Sequence, residues 1–181
     1  MTSGASAAGP EAAWDAAASL VPDCSACAAL CCVALAFDKG ERFGFDKPAG
    51  TPCPNLSRHL CSIHERLEHE GFSGCAAYGC GGAGQRVVQE LFAGTSWRDD
   101  PALLAPMIDA FAGMRAVQAR VELLVAAARL PLLEAEEAAR RHALAALAPG
   151  ALPGVDGFGV SDLAREIDGF IRSLRHHAEG K

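Results

Sequence analysis

Lysine is the scarcest charged side chain in this sequence: Lys39, Lys47 and Lys181 are the only three in 181 residues. With 16 basic against 22 acidic residues the formal net charge is −6, and no basic stripe runs along the chain. A polyphosphate backbone recruits clustered positive charge, so nucleic acid is not the expected partner. Aromatics are thin as well, at 6%. A core built mostly from Ala, Leu and Val suits helices better than strands, and a mainly α fold is expected. Long apolar runs are missing too. The longest, Ala26 to Phe37, is shorter than the ~20 residues that span a bilayer. Met1 to Ala18 lacks a basic n-region, carries Glu11 and Asp15, and contains no uninterrupted apolar core, so no secretion signal is read there. These absences lead to the expectation of a cytoplasmic protein with no membrane partner. Cysteine, finally, is absent from both flanks of the chain, because all eight lie between Cys24 and Cys80.

That concentration is the chemical signal. Cys24-Ser25-Ala26-Cys27 is followed by the adjacent pair Cys31-Cys32, then by Cys53, Cys61, Cys75 and Cys80. In a reducing compartment, short fixed spacings point to metal ligands rather than structural disulfides. Thiolates suit zinc and iron–sulfur clusters because soft donors match those acceptors, and four complete a tetrahedral shell. Eight donors make two four-thiolate sites, or one cluster with spare thiols. A helix from Cys24 to Leu35 would carry Cys24, Cys27 and Cys31 on one face, with Cys32 about 100° further round and directed to a different site. Large hydrophobes are few between Phe37 and Gly84. Bound metal, contributing about 10–16 kcal/mol for a structural zinc, is expected to supply the missing stability.

Histidines offer less. His64, three residues after Cys61, is a candidate replacement for one thiol, whereas His59 and His69 read as exposed or as outer partners of the site. His142, His176 and His177 lie near helix ends among arginines and read as solvent-facing. No catalytic residue is identified. Asp99 and Asp100 are better explained as a helix cap than as an acid/base pair, and Gly79 to Gly84 lacks the Lys-Ser/Thr of a phosphate loop.

Outside the cysteines the sequence predicts three parts: a flexible N-terminal segment over 1–22, a cysteine module over 23–84 and a helical region over 85–178. Met1 to Gly9 reads as a tail and Pro10 to Leu20 as a short helix. Phe37 to Pro54 reads as loop, and Glu65 to Glu70 as a charged helix. Further helices are predicted from Gln85 to Phe92 and from Pro101 onward behind an Asp100 cap. In the latter, Met107, Phe111, Met114, Val121, Val125 and Ala128 form a stripe interrupted by Gln118. Another runs from Pro131 to about Leu147. A last one is capped by Ser161, with Leu163, Ile167, Phe170, Ile171 and Leu174 on its apolar face. The expected architecture is an irregular, metal-stabilised cysteine module followed by a helical hairpin or bundle.

Cys24-x-x-Cys27-x-x-x-Cys31-Cys32, Cys53-Pro-Asn-Leu, Cys61-Ser-Ile-His64 and Cys75-x-x-Tyr78-x-Cys80 together resemble the CxxCxxCC cysteine-cluster family (YkgJ type), a zinc- or iron-chelating domain. The resemblance covers about a third of the chain. It departs from the family pattern in the three residues between Cys27 and Cys31, in His64 where an aromatic is usual, and in Leu67 to Phe72. The wider stretch, with Asp46 to Cys53, Gly71-Phe72 and Gly84-Gln85, is similar to the N-terminal module of actinobacterial proteins labelled pentapeptide-repeat proteins. The C-terminal half has no pentad run, and helices are expected there instead of a β-solenoid. The resemblance implies zinc or an iron–sulfur cluster on Cys24, Cys27, Cys31, Cys32, Cys53, Cys61, Cys75 and Cys80. The expected role is accessory or structural, with the helical half available to a protein partner. The alternatives are a lysine-methylase-like enzyme, which some members of the family imply, and a thiol-based redox or metal sensor.

Overall fold

The computed structural model describes residues 14–177. The tail over Met1 to Gly9, the start of the Pro10 helix and the chain end after His177 lie outside the described residues. The fold is mainly α, as the composition predicts, with one two-stranded hairpin.

A single long helix, α5 (Leu104–Ala127), is the axis against which the rest packs. Asp100 caps the turn before it, accepting from the Ala102 amide at 3.0 Å, and Pro101 opens a 3-10 turn that leads into the helix. Pro106 falls in the first helical turn, where no intrahelical amide is needed, so it neither kinks nor delays α5. The buried arc of α5 is broader than a stripe: Met107, Ala110, Phe111, Met114, Val117, Val121, Leu124 and Ala127 are all inside. Leu124 and Ala127 thus take the places expected for Val125 and Ala128, because neighbours press on α5 from several directions. They are α1 (Ala16–Ser19), α2 (Leu30–Ala34), α4 (Ala83–Arg86), α6 (Glu134–Ala146) and α7 (Asp162–Ser173).

Gln118 does not interrupt the apolar face. It is 1% exposed and is the centre of a buried polar network. Its Nε2 donates to Ser19 O at 3.0 Å and Gly81 O at 2.6 Å, while its Oε1 accepts from Arg86 Nη1 at 2.8 Å. Arg86 also donates to the Glu90 carboxylate and to Leu147 O. The network ties α1, the loop after Cys80, α5 and the end of α6 together. Fully partnered buried groups of this kind rigidify a core.

The flanking elements are shorter than the sequence suggests. The N-terminal helix is one turn, capped by Asp15. The predicted Gln85–Phe92 helix is instead α4 followed by a π-helical turn over Val87–Leu91. The charged helix expected at Glu65–Glu70 reduces to a 3-10 turn over His64–Arg66. In contrast, α7 begins where predicted, with Ser161 Oγ accepting from the Ala164 amide at 3.1 Å. α6 starts at Glu134, three residues after Pro131, where Glu136 reaches back to the Leu133 amide at 2.8 Å.

The stretch between Phe37 and Gly84 has more apolar support than expected. Phe37 stacks on Phe43 with centroids 4.4 Å apart, Phe45 meets Phe72 at 4.9 Å, and Phe37 meets Phe45 at 5.7 Å. Four rings brought together from a 36-residue stretch make a small satellite core, and aromatic pairs of this geometry contribute ~0.5–1.5 kcal/mol each beyond area burial.

Candidate metal centre

The first three cysteines do not share a helix. Cys24 lies in a 3-10 turn over Cys24–Ala26 capped by Asp23, Cys27 is extended, and Ala29 takes a left-handed φ of 56° before α2 starts at Leu30. The break has two visible causes. Trp97 Nε1 donates to the Ala28 carbonyl at 2.8 Å, taking a group a continuous helix would have used internally. Gly84 presses its backbone on Cys27, and a Cβ there would lie closer than 3.0 Å to Cys27 Sγ. Only glycine allows that approach.

Two sets of thiols emerge, meeting at the vicinal pair. Cys24 and Cys27 are each acted on electrostatically by Cys31 and Cys80. Cys80 is held by the tight turn in which its carbonyl accepts from Ala83 at 3.1 Å, and the neighbouring Gly81 carbonyl is fixed by Gln118. The second set is assembled by backbone hydrogen bonds. The Cys53 amide donates to Cys32 O at 3.0 Å, and Cys53 O accepts from Leu56 to close the expected turn. The hairpin of β1 (Leu56–Ser57) and β2 (Leu60–Cys61) then sets Cys61 opposite Leu56. Cys61 and Cys31 act on Cys53, and Cys53, Cys31 and Cys61 act on Cys75. Cys75 sits in α3 (Ser73–Ala76), which starts beside Phe72 of the aromatic quartet. Cys31 Sγ and Cys32 Sγ, expected to point to different sites, lie 3.9 Å apart.

Burial dominates the thiol chemistry. It pushes Cys27 up to about 11 and raises Cys24, Cys53 and Cys75; Cys31 is raised first by its contact with Cys32 and then by burial. Thiols of this kind stay protonated at neutral pH until a cation displaces their protons. They are poor free nucleophiles.

Two further residues bear on what the site holds. Lys47, one of the chain's three lysines, is 3% exposed. Its Nζ donates to the carbonyls of Val33, Leu35 and Pro48 at 3.1, 2.5 and 3.0 Å, with no carboxylate partner among the described residues. Burial lowers its pKa, and the opposing charges that favour the ammonium are those of Cys53, Cys32, Cys31 and Cys75. Tyr78 presents a buried hydroxyl with no hydrogen-bond partner. Burial pushes its pKa up to about 12, and Cys31, Cys80 and Cys27 push the same way. The Lys47 ammonium and the Tyr78 hydroxyl are both within electrostatic reach of several of the cysteine thiols. Cysteine thiolates are the soft donors that zinc or an iron–sulfur cluster takes, and Cys31 is the thiol common to both groups, acting on Cys24 and Cys27 and also on Cys53 and Cys75.

The sulfur shell is open. No three cysteine Sγ atoms lie within 4.8 Å of one another among the described residues. A tetrahedral zinc with Zn–S bonds of about 2.3 Å holds its sulfurs ~3.8 Å apart, so zinc requires contraction, whereas a polynuclear cluster spreads its thiolates over several metal atoms. His64 is exposed on its 3-10 turn and joins no ligand trio with the cysteines. His59 donates to or accepts from Ser96 Oγ at 2.7 Å. Sequence reasoning missed Lys47, Tyr78, Trp97 and Gln118 as parts of the site, although the scarcity of lysine was a usable signal for the first.

Over 93 residues the chain is 50% identical to a Bacillus subtilis (strain 168) protein named uncharacterized protein YybG. The aligned stretch is 51% of this chain and 33% of that relative, so the chain spans about a third of the relative's length. No family model matches the chain, and no solved structure matches it significantly. No helix among the described residues is long and apolar enough to cross a membrane.

Proposed function

We propose that this chain is a metal-binding protein whose Cys24–Cys80 module holds zinc or an iron–sulfur cluster in an accessory or structural role. The observation that carries the reading is Lys47. A buried ammonium without a counter-charge is costly, and three carbonyls solvate it without neutralising it. Thiolates bound to a metal supply the missing negative charge, since four of them around a dication leave a net anion. The Tyr78 hydroxyl, buried and without a partner, costs about 1–3 kcal/mol and lies within electrostatic reach of Cys31, Cys80 and Cys27. The raised pKa values of Cys24, Cys27, Cys31, Cys53 and Cys75 argue against those thiols acting as free nucleophiles before metal is bound. Elemental analysis and visible absorption of anaerobically purified protein test the proposal. Stoichiometric zinc in a colourless sample, or iron with thiolate-to-iron absorption in a brown one, is the expected result. A folded, metal-free protein with eight freely titrating thiols would overturn it.

A further inference from the structure

The C-terminal turn carries a second donor cluster far from the cysteines in sequence. Glu136, at the start of α6, meets His176 and His177, which follow α7; one ligand atom from each lies within 4.8 Å of the other two. His177 was expected to face solvent, yet its side chain is only 9% exposed; Glu136 is 18% exposed and His176 56%.

The hydrogen bonds decide the tautomers. His176 Nδ1 lies 2.8 Å from Ser173 O, and a carbonyl only accepts, so Nδ1 carries the proton. In the neutral ring Nε2 is then a bare lone pair, and it stands 3.4 Å from Glu136 Oε1, acceptor against acceptor. His177 Nε2 lies 2.8 Å from Glu136 Oε2. His177 Nε2 can donate to Glu136 as a neutral ring, so the unsatisfied approach is that of His176 Nε2, and either a proton there or a bound cation resolves it. Protonating both rings is disfavoured, because their centroids are 3.9 Å apart and two imidazolium ions would repel. A single dication serves both nitrogens and the carboxylate while leaving both rings neutral. The supports for such a site are present. A carbonyl on Nδ1 orients His176 and raises the basicity of its Nε2, and the Leu133 amide fixes the Glu136 carboxylate at 2.8 Å. Of the arginines on α6, Arg140 pairs with Glu137 at 2.6 Å and Arg141 approaches the same carboxylate at 3.9 Å.

We propose that His176 Nε2, His177 Nε2 and the Glu136 carboxylate form a site for a borderline divalent cation such as zinc or cobalt, distinct from the thiolate module. Two nitrogens and one oxygen match those ions, and the exposed His176 side leaves a coordination position open to water. The inference does not depend on what the cysteines bind.

The test is a site-resolved titration of the full-length protein with zinc, read by the imidazole nitrogen resonances. Nε2 of His176 and His177 should shift together to metal-bound values at one equivalent beyond the metal held by the thiols, while His64, His69 and His142 stay unchanged. The E136Q and H176Q/H177Q variants should each lose that equivalent without change in the content of thiol-bound metal. Unmoved His176 and His177 resonances under excess zinc, in a protein whose spectrum shows it folded, would refute the site. So would retention of the extra equivalent in H176Q/H177Q.

Discussion

Replacing Lys47 with methionine separates its two roles. The variant keeps the buried aliphatic stem and deletes the ammonium, so three carbonyls lose a donor and the thiol module loses a charge. The first loss is common to the metal-free and metal-loaded protein and cancels in the difference between them. In the metal-free state the ammonium has no carboxylate partner among the described residues, and its removal is offset by the relief of burying an unpaired ion, a relief of ~1–4 kcal/mol where buried charges are replaced by apolar groups. For a separation taken as ~8 Å and an effective dielectric of ~20, each net negative charge of a bound complex would attract Lys47 by about 2 kcal/mol. That corresponds to a ~30-fold loss of metal affinity for each unit of charge. The assay is competition with a chelator of known affinity, run beside urea unfolding of the stripped protein. K47M should release metal at a chelator concentration at least tenfold lower than the wild type, while its stripped form unfolds at a urea midpoint close to or above that of the wild type. Equal metal affinity in the two proteins, with both forms of K47M destabilised alike, would show that Lys47 only braces the Val33, Leu35 and Pro48 carbonyls. The account of the site as an anion would then lose its main support.

Three other perturbations follow from the same geometry. Gly84→Ala forces a methyl group into Cys27 Sγ, and the overpacking should cost ~1–3 kcal/mol and lower metal content selectively, read by elemental analysis and thermal melting; a fully loaded variant of wild-type stability would refute the contact. Tyr78→Phe should stabilise the stripped protein by about 1–3 kcal/mol by deleting an orphaned buried hydroxyl; a destabilised stripped variant in urea unfolding would refute the absence of a partner. The stripped protein should also lose stability in alkali. Thiols raised above the ordinary value of 9.0 bind more protons folded than unfolded, so their contribution is intact below pH 9 and disappears as pH climbs through the folded values, about 11 for Cys27. That thiol alone accounts for roughly 2–3 kcal/mol. Lys47, whose pKa is lowered, acts in the opposite sense but is one group against Cys24, Cys27, Cys31, Cys53 and Cys75. Urea midpoints at pH 7, 9 and 10.5 should fall for stripped protein and stay flatter for loaded protein, and a flat stripped profile would contradict the thiol assignments.

What could be foreseen from the sequence divides by range of interaction. Asp100 and Ser161 act on amides two or three residues away, so both caps are legible locally. The turn at Cys53 is equally local. The break between Cys27 and Leu30 is not, because it depends on Trp97 and Gly84, more than fifty residues downstream. A run of Cys, Ala and Leu has helical propensity, and tertiary contacts override it. Gln118 was misjudged for the same reason. Its polarity argued for an interruption of the apolar face, whereas Arg86, Ser19 and Gly81 satisfy it in the interior. The phenylalanines at 37, 43, 45 and 72 looked too sparse to support the module, because spacing in sequence hides their stacking in space.

The same network sets how the thiol module and the helices depend on each other. Leu30 and Val33 of α2 lie in one buried cluster with Met107, Phe111 and Met114 of α5, so the pair Cys31-Cys32 rides on a helix whose other face is the main core. Gln118 holds the Gly81 carbonyl beside Cys80, and Gly82 accepts a φ of 78° where a Cβ would strike the Ser19 carbonyl. Thiols are thus fixed from α5 at both ends of the module, while the middle, from Phe37 to Phe72, is held by the aromatic rings and Lys47. Loss of metal should therefore release the hairpin carrying Cys61 and the turn carrying Cys53 first, leaving Cys31 and Cys80 in place. Hydrogen exchange on loaded and stripped protein would show this as deprotection confined to about residues 37–72. Uniform deprotection that reached α5 would mean instead that metal binding and the helical core form one cooperative unit.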